Sequence, residues 1–179
     1  MPTISQSPSI DGLMHVQLER YRDRRGQFSE IFRKEWFPDQ KWAAVQSNHS
    51  VSRAGVLRGL HYHHLQVDYW YVMEGSIRAG LVDLRTSSPT YLEAITLDLD
   101  NEKGIGIFIP TGVAHGFLAV EDSAILYFVD KYYNGRDEFG VMWNDTDINL
   151  DWGVSDPYLS ERDRINPLLR DIPESDMPQ

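Results

Sequence analysis

Hydrophobic residues alternate with other residues in three segments in the middle of the chain. This period of two is typical of half-buried β-strands, whose successive side chains point to opposite faces of a sheet. Turn-forming residues separate the segments at a spacing of about 10 residues, which is typical of sandwiches and jelly rolls. We therefore predict an all-β jelly roll with antiparallel sheets. The segments cover residues 75–85, 94–100 and 104–110, with apolar positions at Ile77, Ala79, Leu81, Ile95, Leu97, Leu99, Ile105, Ile107 and Ile109.

The two ends of the chain follow other patterns. Residues 30–38 predict a short helix. Residues 156–179 are rich in Pro, Asp and Arg and predict a mostly irregular or short-helical tail packed on the barrel. The sequence contains no internal repeat, low-complexity tract or linker that would separate two domains. We therefore expect residues 1–179 to form a single domain.

The composition is that of a globular protein and narrows the range of functions. Hydrophobic residues make up 41% and charged residues 25% of the 179 residues. The absence of cysteine excludes disulfides, a thiolate nucleophile and cysteine-bound zinc. A net charge of −10 argues against nucleic acid and anionic membranes as partners, although a few arginines could still bind a small anionic ligand. Because neither a membrane span nor a secretory leader is recognisable, we expect a cytoplasmic protein.

Four of the six histidines lie in two polar clusters, at residues 56–75 and 104–117. His61 and His63 are two positions apart, so on a strand their imidazoles point to the same face. If that face lines the barrel interior, both imidazoles enter one cavity. In the second cluster, a Pro-x-Gly turn precedes His115.

The spacing of these residues resembles the two sequence motifs of the cupin superfamily. In the first motif a His-x-His pair is followed by an acidic residue and a closing glycine, and in the second a glycine precedes a Pro-x-Gly turn and a histidine. The matching residues are His61, His63, Asp68 and Gly75, then Gly104, Pro110, Gly112 and His115. The paired match implies a cupin-type double-stranded β-helix, a jelly roll of antiparallel sheets with short flanking helices.

A closer resemblance extends over most of the chain. Several segments resemble the dTDP-4-dehydrorhamnose 3,5-epimerase family of nucleotide-sugar enzymes, which act in dTDP-rhamnose and polysaccharide biosynthesis. The resemblance implies a homodimer that needs no metal ion or organic cofactor. It also implies an isomerase that inverts C3, C5 or both, next to the 4-keto group of a nucleoside-diphosphate 6-deoxysugar. The matching segments are residues 47–63, 82–91, 109–120, 132–140 and 143–152.

The resemblance also assigns the groups that such a reaction needs. A proton next to a ketone is weakly acidic, so its removal requires a positioned base, and inversion requires an acid on the opposite face. By resemblance the base is His61, the carboxylate that orients it is Asp163, and the acid is Tyr127. The carboxylate is expected to hold the imidazole in one tautomer and to stabilise its protonated form.

Residues that would bind the substrate follow from the same resemblance. Arg25 and Arg58 are expected near the diphosphate, because a guanidinium donates two parallel hydrogen bonds to phosphate. Ordinary surface or core roles are the alternative for each substrate-binding position. The remaining positions, around the nucleotide and the sugar, are Phe28, Glu30, Gln46, Asn48, His115, Tyr132, Glu138 and Arg162.

The sequence departs from the family pattern where a lysine usually follows the catalytic histidine, because Asp68 stands there. A second usual lysine, after the acid tyrosine, is replaced by Phe128. The change at Asp68 removes a cation from the developing enolate and adds an anion. Either the site is metal-free and His63 and Asp68 bond each other or water, or a divalent ion replaces the missing charge. The ligands of that ion would be His61, His63, Asp68 and His115.

Two further questions stay open at the level of sequence. The aromatic run at residues 68–71 predicts either a surface that stacks on a base or sugar, or a part of the core or dimer interface. The scaffold also fits two functions other than cofactor-free epimerisation, namely a metal-dependent cupin enzyme and a non-catalytic protein that binds sugar nucleotides. Metal analysis and solvent deuterium incorporation would separate the three.

Overall fold

The computed structural model describes residues 1–179 as short strands with few helical turns. The strands are β1 (Thr3–Gln6), β2 (Met14–Gln17), β3 (Tyr21–Asp23), β4 (Gly26–Phe28), β5 (Gln46–Ser52), β6 (Leu57–Tyr62), β7 (Asp68–Glu74), β8 (Ser76–Asp83), β9 (Ala94–Asp100), β10 (Ile105–Ile109), β11 (Val113–Ala119), β12 (Ser123–Val129) and β13 (Phe139–Gly140). The helix α1 covers Glu161–Arg164, and 3₁₀ turns cover Lys34–Trp36, Leu169–Asp171 and Glu174–Asp176. None of these helices has the length and apolar character that crossing a bilayer requires.

Two antiparallel sheets pack face to face. One sheet has six strands in the order β1-β2-β10-β7-β12-β5, and the other has five in the order β13-β6-β11-β8-β9. The strands β3 and β4 form a separate hairpin. Apart from the pairs β1–β2 and β8–β9, neighbouring strands in both sheets are far apart in the chain, as in a jelly roll. The predicted all-β fold with antiparallel sheets is confirmed.

The predicted alternating residues pack together between the two sheets. Ile77 and Leu81 of β8 and Ile107 and Ile109 of β10 are fully buried there. Burial of each such side chain stabilises the fold by about 1.5–3 kcal/mol. The other predicted positions in the same cluster are Ala79, Ile95, Leu97, Leu99 and Ile105. The period of two therefore identified the inward face of three strands correctly.

The outer faces of the sheets are covered by loops and by the tail. Ile172 of the tail packs with Trp152 on the outside of the five-stranded sheet, and residues 156–179 form an irregular, short-helical cover there. On the other sheet, Tyr69 and Tyr71 are buried beneath an aromatic cluster. Those two members of the aromatic run therefore belong to the core.

The predicted helix at residues 30–38 is wrong, since the structure has only the three-residue turn Lys34–Trp36. Aromatic packing prevents a continuous helix there. The ring of Phe32 stacks on Phe128 with centroids 4.5 Å apart, and the ring of Phe37 stacks on Phe108 with centroids 4.7 Å apart. The segment therefore follows the outer face of the six-stranded sheet.

A close approach of two backbones brings β6 next to β11. A Cβ atom at Gly116 would lie 2.6 Å from the carbonyl oxygen of Arg58, so only glycine fits. The register of the pair places His115 directly opposite His61. Two histidines from the separate sequence clusters are thereby neighbours on one sheet.

Candidate active site

A cavity of about 620 Å³ opens at one end of the barrel. Both sheets contribute to its wall, and the loop after β12 and the segment before and within α1 close its sides. All but three of the site residues predicted from the sequence line this cavity. They are Gln46, Asn48, Arg58, His61, His63, Asp68, His115, Tyr127, Tyr132, Glu138, Arg162 and Asp163.

His61 and Asp163 form a hydrogen-bonded pair in the wall of the cavity. The Nε2 atom of His61 lies 2.6 Å from Oδ1 of Asp163. The side chain of Asp163 is 4% exposed and that of His61 is 25% exposed, so the imidazole alone reaches the cavity. A carboxylate only accepts hydrogen bonds, so Nε2 donates and Nδ1 of the neutral ring is the basic nitrogen.

The local fold holds Asp163 in place and keeps it ionised. Ser160 caps the N-terminus of α1, and its hydroxyl accepts a hydrogen bond from the backbone N–H of Asp163. Burial raises the pKa of the Asp163 carboxyl, but hydrogen bonds from His61, Ser160 and the Gly59 backbone together bring it below its ordinary value. The carboxylate is therefore charged at neutral pH and stabilises a protonated imidazole.

Tyr127 faces the cavity from the sheet opposite to that of His61. It lies on β12 in the six-stranded sheet, whereas His61 lies on β6 in the five-stranded sheet. Burial raises the pKa of the Tyr127 hydroxyl, and the negative charge of Asp68 raises it further. The phenol is therefore protonated at neutral pH and can donate a proton.

His63, Asp68 and His115 form a second, buried group in the same cavity. The carboxylate of Asp68 accepts hydrogen bonds from Gln66 Nε2 at 2.9 Å and from Trp70 Nε1 at 3.1 Å. It forms no hydrogen bond with His63, whose Nδ1 bonds the Asp137 carbonyl instead. Burial lowers the pKa of His115, and the nearby Asp68 charge partly opposes that shift. His61 does not belong to this group, because it pairs with Asp163.

Cationic and aromatic side chains gather at the mouth of the cavity. The guanidinium of Arg58 is positioned by Ser52 Oγ at 2.9 Å, and Arg162 is paired with Glu138 at 2.9 Å. Tyr132 is 71% exposed, so its ring is free to stack on a planar group. The predicted anion-binding and aromatic positions are thus close to one another.

Lys131 is a cavity residue that sequence reasoning missed. It follows Tyr127 by four positions and lies just beyond the end of β12, where continuing the period of two would place both on one face. Other wall residues that sequence reasoning missed include Gln66, Phe117, Tyr133, Asn134 and Asp137. Trp70, from the aromatic run at residues 68–71, also lines the cavity while it packs in the core.

Arg25, Phe28 and Glu30 do not line the cavity. They lie on or just after the β3–β4 hairpin, where Phe28 is 64% exposed. Arg25 is paired with Asp23, and Glu30 is paired with Arg33. The structure of one chain therefore does not bring these three predicted residues to the site.

Comparison with known proteins identifies the family. The model of the dTDP-4-dehydrorhamnose 3,5-epimerase family matches residues 7–171. The chain belongs to this family. The prediction of a nucleotide-sugar epimerase on a cupin-type jelly roll is thereby confirmed at the level of the family.

Individual epimerases match over nearly the whole chain. A dTDP-4-dehydrorhamnose 3,5-epimerase of Methanothermobacter thermautotrophicus is 39% identical over 173 residues, which are 92% of this chain and 94% of the relative. The structure of dTDP-6-deoxy-D-glucose-3,5-epimerase from Legionella pneumophila, in complex with dTDP-4-keto-L-rhamnose, matches with a TM-score of 0.93 at 31% identity, covering 100% of this chain and 98% of that one. The 3'-monoepimerase ChmJ from Streptomyces bikiniensis, in complex with dTDP-quinovose, matches with a TM-score of 0.85 at 29% identity, covering 90% and 86%.

Proposed function

We propose that the protein inverts C3, C5 or both of a dTDP-linked 4-keto-6-deoxysugar. The observation that carries this proposal is the position of the His61–Asp163 pair and Tyr127 on opposite sheets of one cavity. A base and an acid on opposite sides of a bound sugar are what inversion at carbon requires. The choice of dTDP rests on the ligands of the solved relatives.

In the proposed reaction, Nδ1 of His61 removes the proton from the carbon next to the keto group. The C–H bond breaks, its electron pair forms the enolate, and Asp163 stabilises the resulting imidazolium. Tyr127 then donates its proton to the opposite face of the same carbon, which forms the inverted C–H bond and restores the ketone. Solvent returns the proton to Tyr127 and takes the proton from His61.

Neither proton transfer needs an organic cofactor, because these residues supply both the base and the acid. We propose that Arg58, Arg162 and Lys131 bind the diphosphate at the cavity mouth and that Tyr132 stacks on the base. Arg58 supports this role, because its guanidinium donates only to the neutral Ser52 hydroxyl and Val51 carbonyl and keeps an unpaired charge. Arg162 and Lys131 would first have to leave their carboxylate partners, Glu138 and Asp130.

We further propose that the chain, as a single jelly-roll domain, forms a homodimer in the cytoplasm. The strand β5 has a partner on one side only, and exposed edges of this kind pair readily with another chain. Val51 on that strand is 63% exposed. In a dimer, Arg25, Phe28 and Glu30 of the exposed hairpin would bind substrate across the interface. Light scattering should give the mass of two chains.

The absence of cysteine, and therefore of disulfides, supports the proposal of a cytoplasmic location.

Proton NMR in deuterated water tests the proposed activity. We expect the protein to exchange hydrogen for deuterium at C3, C5 or both of dTDP-4-keto-6-deoxyglucose and to form an epimer. His64→Ala is the matched control, because His64 lies next to His63 in the chain but outside the cavity, and it should exchange at the wild-type rate. A wild-type protein that binds the sugar nucleotide without any exchange would instead be a binding protein.

A further inference from the structure

His63, Asp68 and His115 lie deep in the cavity with their polar atoms turned toward one another. One ligand atom of each residue lies within 4.8 Å of the other two. The residues are 7%, 3% and 6% exposed, yet all three line the cavity. The group therefore combines near-complete burial with access to a bound ligand.

Both imidazoles are held by backbone carbonyls on the side away from this group. Nδ1 of His63 lies 2.5 Å from the carbonyl oxygen of Asp137, and Nδ1 of His115 lies 2.9 Å from that of Val113. A carbonyl only accepts, so each Nδ1 carries the proton. Each neutral ring then carries its lone pair on Nε2, and Nε2 of His115 lies 3.9 Å from the Asp68 carboxylate. Metal-ligating histidines commonly donate their other N–H to a carbonyl in this way.

Asp68 is a buried carboxylate without a cationic partner. Its two oxygens accept hydrogen bonds from the neutral donors Gln66 Nε2 and Trp70 Nε1. No lysine or arginine forms an ion pair with it, and its nearest basic atom, Nε2 of His115, is 3.9 Å away. A buried charge with this environment is costly unless a positive charge compensates it.

We infer that Nε2 of His63, the Asp68 carboxylate and Nε2 of His115 bind one divalent first-row transition-metal ion. Two imidazoles and one carboxylate suit Mn²⁺, Fe²⁺, Co²⁺, Ni²⁺ or Zn²⁺. Ligand bonds of about 2.1 Å hold two ligand atoms at most about 4.2 Å apart, so a pair at the 4.8 Å limit needs to approach by at least about half an ångström. His61 is not a ligand, because it lies outside the group whose ligand atoms are all within 4.8 Å of one another.

Three protein ligands leave coordination positions open toward the cavity. An oxygen atom of a bound molecule can occupy one of them, with the ion acting as a Lewis acid. The identification of that oxygen as the 4-keto oxygen rests on the proposed function, whereas the metal site itself does not.

Metal titration without substrate tests the site. Untagged protein, first treated with a chelator, is titrated with Co²⁺ and followed by calorimetry and by cobalt absorption. We expect one saturable ion per chain, and His63→Ala and Asp68→Asn should each weaken binding by at least about 100-fold. His64→Ala and His61→Asn are matched controls that should retain the full stoichiometry, and circular dichroism verifies that each variant is folded.

The outcomes separate this inference from the proposed function. A wild-type protein without a saturable Co²⁺ site overturns the inference, and so does equal binding by His63→Ala and His64→Ala. Because no substrate is present, either result leaves the epimerase proposal standing. Conversely, a saturable site in a protein that never exchanges hydrogen at C3 or C5 would support the metal site and refute the epimerase.

Discussion

His61 and Asp163 are 102 residues apart in the chain, and their side chains meet at 2.6 Å. The pair combines an accessible imidazole with a carboxylate that is excluded from water. Hydrogen bonds hold the pKa of Asp163 below its ordinary value against the effect of burial. At the residue scale, His61 is therefore the group that removes the proton, and Asp163 orients its ring.

Asp163→Asn should slow epimerisation by about 100-fold or more, within the range of general acid–base catalysis. The amide can hold the ring but cannot stabilise the imidazolium by charge. Initial rates with saturating substrate measure the effect. Glu161→Gln, on the exposed side of the same helix, is the control and should keep the wild-type rate. Equal rates for the two variants would contradict the assignment of Asp163.

Arg58→Ala should weaken the binding of dTDP by about 1.5–3 kcal/mol, the scale of a hydrogen bond to a charged group. Its side chain lies at the cavity mouth and is positioned by Ser52. Calorimetry with dTDP measures the change. Arg53→Ala removes an exposed arginine outside the cavity and should bind as the wild type does. If both variants bind dTDP equally well, Arg58 does not contact the diphosphate.

At the scale of elements, the pairing of β6 with β11 decides the geometry of the site. Gly59 and Gly116 let the two backbones approach, and the register places His61 opposite His115. The site therefore depends on a contact between two segments that are separate motifs in the sequence.

Gly116→Ala should destabilise the protein by about 1–3 kcal/mol, because the added methyl group would lie 2.6 Å from the Arg58 carbonyl oxygen and overpack the sheet. Urea unfolding measures the loss. Gly135→Ala is the control, since the nearest atom to its methyl group is the hydroxyl of exposed Tyr133 at 3.2 Å. Equal free energies of unfolding for Gly116→Ala and the control would contradict this. They would show that β6 and β11 can move apart without a loss of stability.

For the whole molecule, more of the fold than of the candidate site could be predicted from the sequence. The period of two is a local property, and it placed Ile77, Ile95 and Ile107 on the inward face correctly. The Asp163 contact is not local, and only a resemblance to a family pointed to it. Likewise, spacing alone could not separate His61 from the group of His63, because alternation places both on one face.

The buried Asp83 predicts how stability depends on pH. Burial raises the pKa of its carboxyl, but hydrogen bonds from Arg85, Ser88 and Thr90 outweigh it, so the folded pKa lies below the ordinary value. Its contribution to stability is therefore complete above about pH 4 and is lost as the pH falls through the folded pKa. Asp83→Asn should reduce the stability at pH 7 and flatten this acid dependence, whereas Asp39→Asn, at an exposed position, should change neither. Urea unfolding between pH 7 and pH 2.5 measures this dependence. A parallel loss of stability in Asp83→Asn and the wild type would contradict the prediction.

Hydrogen exchange by Tyr127→Phe in deuterated water separates the role of His61 from that of Tyr127. If His61 removes the proton and Tyr127 donates to the opposite face, this variant should still incorporate deuterium next to the keto group, because His61 can return a deuteron to the face from which it took the proton. The configuration at that carbon should then be retained, and His61→Asn should show no exchange at all. Inversion by Tyr127→Phe at the wild-type rate, or exchange by His61→Asn at the wild-type rate, would contradict the account.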